Sequence, residues 1–166
     1  MKDNLILNEE ISNNSKIIED IVYEIVRNFT KDLDEIMNTC KSIFTSGNKP
    51  TLQELEDLLG QLPSFLYFAN EKQEMVGIKK DIAEMTKKYN YNLFRMKLTG
   101  TVSDKNSTAE SSVLNEMINE VIYERAYKMI KAKIEMAQEM INSIKRIFDA
   151  RMMDLQISIG AKKWVN

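Results

Sequence analysis

The chain has 166 residues, 43% of them hydrophobic and 29% charged, with a formal net charge of −2. That is enough for one domain with a modest core. Histidine is absent and Cys40 is the single cysteine, so the commonest general base and metal ligand is missing and no internal disulfide can form. Only 5 Gly and 2 Pro leave little turn material, which excludes many short strands and favours a few long helices.

Residues 1–14 are polar and Asn-rich and read as a loose tail. A helix over 15–45 follows, capped by Asn14 or Ser15. Its apolar stripe is Ile18, Ile21, Val22, Ile25, Val26, Phe29, Leu33, Ile36, Met37, Cys40 and Phe44, spaced by threes and fours. Gly47-Asn48-Lys49-Pro50 makes a turn. Thr51-x-x-Glu54 fits a capping box and opens a short Leu-rich helix over 51–62, which Gly60 and Pro63 close.

A third helix is predicted over 64–98. Phe68, Met75, Ile82, Tyr89 and Met96 recur by sevens, with Ile78 and Met85 between them. This is a coiled-coil seam that should pack on another long helix. Residues 99–109 read as a polar loop. A breaker-free run over 110–159, capped by Thr108 or Ser107 and ended by Gly160, predicts a long helix of roughly 75 Å at ~1.5 Å per residue. The expected fold is all-α: residues 1–166 as a single domain, an elongated helical bundle with a long antiparallel coiled-coil-like helix hairpin. Met75, Met85, Met117 and Met140 sit at seam spacing and read as core, as does Cys40; Met152 and Met153 read as exposed.

No catalytic set is legible. Five scattered glycines fit neither the Walker nor the dinucleotide pattern, and no Glu-x-x-His motif accompanies the helical carboxylates. A non-enzyme without metal or cofactor is expected. No stretch approaches ~18 uncharged apolar residues, and the opening MKDNLILNEE turns acidic too soon for a signal peptide, so a cytoplasmic protein is expected.

The small net charge hides an asymmetry. Residues 1–35 carry nine acids against four bases, residues 71–98 seven bases against four acids, and residues 125–166 nine bases against four acids. The densest basic stretch is Lys87-Lys88-Tyr89-Asn90-Tyr91-Asn92-Leu93-Phe94-Arg95-Met96-Lys97. As a helix it would align Lys80, Lys87, Tyr91 and Arg95 on one exposed face, with Lys79, Lys88 and Lys97 beside them. Cations neutralise phosphates and aromatic faces stack on unpaired bases, at ~1–3 kcal/mol per base. Lys145 and Arg146 add a second basic group. The plainer alternative is a solvated basic face with Tyr89 and Phe94 in the core.

The order of features over residues 64–155 resembles the phage recombination-mediator proteins of the UvsY type. An aromatic and polar start, Phe65-Leu66-Tyr67-Phe68-Ala69-Asn70, leads into a Lys-rich helix from Ile78-Lys79-Lys80 to Lys87-Lys88. A polar Gly-containing loop follows, then a long helix carrying Tyr127 and Met140-Ile141-Asn142-Ser143-Ile144-Lys145-Arg146. The resemblance implies a phage-encoded, ring-forming homo-oligomer that binds single-stranded DNA and helps load a recombinase. It singles out Lys79, Lys80, Lys87, Lys88, Lys145 and Arg146. The acidic first helix and the Leu-rich 52–62 segment extend beyond the family's pattern. Two alternatives therefore stand beside it: a module that inhibits a host defence or replication enzyme, and a coiled-coil scaffold.

Overall fold

The computed structural model describes residues 2–163, and the side chains of residues 14–159. Four helices make up the fold: α1 (Lys2–Thr45), α2 (Leu52–Lys97), α3 (Val102–Ser112) and α4 (Leu114–Lys163). No strand occurs among the described residues, so the chain is an all-α bundle of long packed helices.

Four predicted boundaries are corrected, the first being the long helix expected over 110–159: α4 begins at Leu114 and runs through Gly160 to Lys163. Residues 1–14 were expected to be loose, yet α1 begins at Lys2. The segment holds no Gly or Pro, and extending an existing helix costs far less than nucleating one. The expected break between 62 and 64 is absent, because α2 runs through Pro63. Pro63 lies on the exposed side of α2, between Leu62 and Leu66, which are 0% and 6% exposed. The missing hydrogen bond to the Leu59 carbonyl costs about 3 kcal/mol, and burying each flanking Leu returns ~1.5–3 kcal/mol. The expected 99–109 loop shrinks to Leu98–Thr101, where Gly100 adopts φ +121°, and residues 102–112 form α3. Thr101 caps α3 by accepting from the Asp104 amide at 3.2 Å. A single non-helical residue, Val113, separates α3 from α4, its N–H donating to the Glu110 carbonyl.

The Thr51–Glu54 capping box forms as expected. The Glu54 amide donates to Thr51 Oγ1 at 3.2 Å, and the Thr51 amide donates to Glu54 Oε2 at 2.7 Å. These reciprocal bonds satisfy donors that the first helical turn leaves unpaired. They also hold the Glu54 carboxyl below its usual range, the Thr51 amide contributing most.

Packing divides the chain into two compact units, each built from stretches of the long helices. The first comprises Met1–Phe29 and Lys72–Lys131. Its core is Val22 and Val26 of α1, Val76 of α2, Ala109 of α3, the linking Val113, and Ile122, Ala126 and Ile130 of α4. The second comprises Thr30–Glu71 and Ala132–Asn166. It buries Leu33, Ile36 and Cys40 of α1, Leu55, Leu58, Leu62, Leu66 and Ala69 of α2, and Ile134, Ala137 and Ile144 of α4. The middle of the α1 stripe is therefore oriented as its spacing predicts, while Ile21 and Phe44 are exposed, and Cys40 is a buried free thiol. Burial raises its pKa above the ordinary thiol value. A polar staple completes the second unit: Lys133 Nζ donates to both Asp34 carboxylate oxygens, at 2.8 and 2.6 Å, and to the buried Thr30 hydroxyl at 3.0 Å.

Candidate interaction surface on the second helix

The stretch of α2 from Lys72 to Lys97 combines the predicted seam with most of the predicted basic face. Periodicity groups these residues correctly, but the helix is turned the other way. Within the first unit α2 and α4 run antiparallel, as the expected hairpin requires. Asn90 Nδ2 donates to Glu116 Oε1 at 2.7 Å, Lys87 Nζ pairs with Glu120, and Lys80 Nζ lies 5.7 Å from the centre of the Tyr127 ring. Rising numbers on one helix meet falling numbers on the other. The inward side of α2 in this unit carries the buried Val76 together with these polar side chains.

The apolar seam faces water instead. Met75, Ile78, Ile82, Met85, Tyr89 and Met96 are between 51% and 85% exposed. Phe68, the preceding seam position, belongs to the second unit and is also exposed. This corrects the expectation that Met75 and Met85 are core, and Met117 at 41% exposed departs from it too. Met140, expected in the core, is only half-buried, whereas Met152 and Met153 are exposed as expected.

Gly77 explains the orientation. A Cβ built there would lie 3.3 Å from Tyr127 Cε2, so the missing side chain lets α2 approach α4 closely on this side. Lys80, Lys87 and Asn90 follow at steps of three and seven along the same inward face. Lys80 Nζ lies over the Tyr127 ring, while Lys87 and Asn90 bond to Glu120 and Glu116, so the inward face gives its polar ends partners.

The predicted basic face is thereby dismantled. Lys80, which also lies 3.6 Å from Asp81, points inward with Lys87. Tyr91 is half-buried and lines an open groove of about 340 Å³ with Lys87, Asn92, Glu110, Val113 and Met117. Lys88 is exposed but bonded to Glu84, and that hydrogen bond raises the Lys88 pKa and lowers that of Glu84. Lys79 stands over the Phe29 ring at 5.4 Å, a cation–π contact at an exposed site. Arg95 and Lys97, in the last turn of α2, remain exposed with Met96 between them. Lys145 and Arg146 are exposed on the α4 segment of the second unit. The nine candidate residues thus do not form one continuous face within either unit.

What hydropathy could not signal is the orientation; the inward-facing Gly77 was the available clue. Among the described residues no cluster of three or more potential metal ligands occurs, and no helix is long and apolar enough to cross a membrane. The chain matches no family model, no curated protein and no solved structure.

Proposed function

We propose that this chain acts without catalysis, as a helical assembly module that joins another helix through the outward stripe of α2. One observation carries the reading: α2 presents polar side chains to α4 and a heptad-spaced apolar row to water. An apolar row of that spacing complements the same row on another helix. A monomer rarely leaves such a patch uncovered. The coiled-coil scaffold inferred from the sequence is the nearest of the earlier alternatives.

The test is site-specific photo-crosslinking in the expressing cell, with a photoreactive phenylalanine derivative in place of Met85. A protein adduct is expected at Met85 and is not expected at exposed Gln53 on the same helix. Adducts at neither position, or equally at both, would overturn the reading.

A second reading keeps single-stranded DNA and the recombination-accessory role implied by the UvsY-type resemblance. Its support is the exposed cations Arg95, Lys97, Lys145 and Arg146, beside Lys79 and Lys88, which are exposed but engaged by Phe29 and Glu84. Affinity for an unstructured oligonucleotide should then fall steeply with salt, because each phosphate contact releases counterions. Charge reversal at Lys97, Lys145 and Arg146 should flatten that salt slope. Binding that is absent at low salt, or a slope that the reversals leave unchanged, would remove this reading.

A further inference from the structure

Resting on the assembly reading, we infer that the partner of the α2 stripe is the same stripe of a second copy, packed antiparallel about a two-fold axis. The seam steps 75, 78, 82, 85, 89 alternate threes and fours, averaging the 3.5-residue repeat of a two-stranded coiled coil. Asn92 occupies the next position and Met96 the one after. The single polar position thus lies toward the end of the seam.

The area is sufficient. The six apolar seam residues together expose nearly the surface of four whole side chains. At roughly 200 Å² each this is about 800 Å², close to what one partner contributes to a standard interface.

The flanking charges select both the partner and its direction. Along one edge of the seam, each one residue before a seam position and seven residues apart, stand Glu74, Asp81, Lys88 and Arg95. All four are exposed. The acids occupy one half of the edge and the bases the other. A reversed copy brings Glu74 beside Arg95 of the second copy and Asp81 beside Lys88 of the second copy. The two-fold axis repeats both pairs, and the self-complementary contact closes at two chains. In the core of this register Ile78 meets Tyr89 of the second copy, and Ile82 meets Met85 of the second copy. A parallel pairing would set Glu74 against Lys79, Asp81 against Thr86 and Lys88 against Leu93, so only one opposite pair per chain survives where the antiparallel register keeps two. The bond from Lys88 to Glu84 within the chain lies at the surface and yields to the new pair at little cost.

The experiment is sedimentation equilibrium of the full chain over roughly 1–100 µM, combined with charge swaps and cysteine pairing. A species of twice the 19.3 kDa chain mass is expected. Ile82→Lys should weaken it about a hundredfold, because each of two symmetry-related isoleucines forfeits roughly a factor of ten. Ile82 is exposed in the single chain, so this variant should keep its helical content, and its melting temperature should lose the dependence on protein concentration that dimerisation confers. Glu74→Lys and Arg95→Glu should each weaken the dimer, and the double swap should restore it. Chains carrying Ile78→Cys and Tyr89→Cys should form a disulfide on mixing but not alone, whereas a parallel pair would link each variant to itself. A monomer throughout the range, a parallel pattern of disulfides, or a dimer indifferent to both charge swaps would overturn the inference. If the Met85 photo-adduct then contains a different protein, the assembly reading stands and only self-pairing is lost. If Met85 forms no protein adduct, both fail.

Discussion

Pro63 lies twelve residues into α2, so replacing it tests whether the helix is continuous there. Proline inside a helix is about 3 kcal/mol worse than alanine, through the lost hydrogen bond and the clash with the preceding turn. Pro63→Ala restores a donor to the Leu59 carbonyl. It removes no core contact, because the ring is exposed. Part of the gain, roughly 0.4–1 kcal/mol, is returned because alanine loosens the unfolded chain. The net stabilisation is about 2 kcal/mol. At ~2–4 °C per kcal/mol for a chain of this size, the melting temperature should rise by about 4–8 °C. Thermal unfolding followed by far-ultraviolet circular dichroism measures it directly. Ser64→Ala, exposed beside it, serves as the control and should change stability by less than about 0.5 kcal/mol. A Pro63→Ala protein with an unchanged or lower melting temperature would mean that the chain turns at residue 63, as the sequence alone suggested.

Other substitutions test other contacts. Asp34→Ala removes the main acceptor of Lys133 and should cost about 1–2 kcal/mol in urea unfolding, a figure reduced for the partial exposure of both groups. Glu35→Ala, at the fully surface pair with Lys31, should cost less than about 0.5 kcal/mol, and equal losses would refute the distinction. Thr51→Ala should cost about 1 kcal/mol through the lost helix cap. Because the folded Glu54 pKa is depressed, its contribution is complete above the ordinary carboxylate range and is lost as pH falls through the lower folded value. The difference between wild type and Glu54→Gln should shrink on acidification, and a difference that grows would contradict the capping geometry. Cys40, buried with a raised pKa, should resist alkylation at pH 8 in the native chain and react readily in denaturant. Rapid native labelling would place it at the surface.

Much of the fold is legible in the sequence, for local physical reasons. The α1 stripe and the Thr51–Glu54 box are set by nearest-neighbour spacing, so each survives whatever packs around it. The α3 helix was also signalled, by Thr101-x-x-Asp104, but the polar run after it obscured the cap. Pro63 misled because propensity is a local cost, whereas burial of Leu62 and Leu66 is a tertiary gain. The candidate site failed at a different step. Periodicity states which residues share a face of α2, and it grouped both the seam and the cations correctly. It cannot state which face turns inward when each face has something to offer. The usual assumption, oily side in, sends Met75 to Met96 to the core and Lys87 to solvent. Glu116, Glu120 and Tyr127 on α4 reverse that choice, and only their positions in space reveal it.

The close approach at Gly77 has a consequence for how this molecule could change by mutation. A Cβ at this position would lie 3.3 Å from Tyr127 Cε2, so any larger residue requires the ring to give by a few tenths of an ångström. A roll of about 100° would bring Ile78 to the place that Gly77 now occupies. A rolled helix that hides the oily row would press a larger side chain onto the same ring, so a small residue at 77 favours the observed setting. The missing side chain at 77 thus works with Glu116, Glu120 and Tyr127 to keep the apolar row outward.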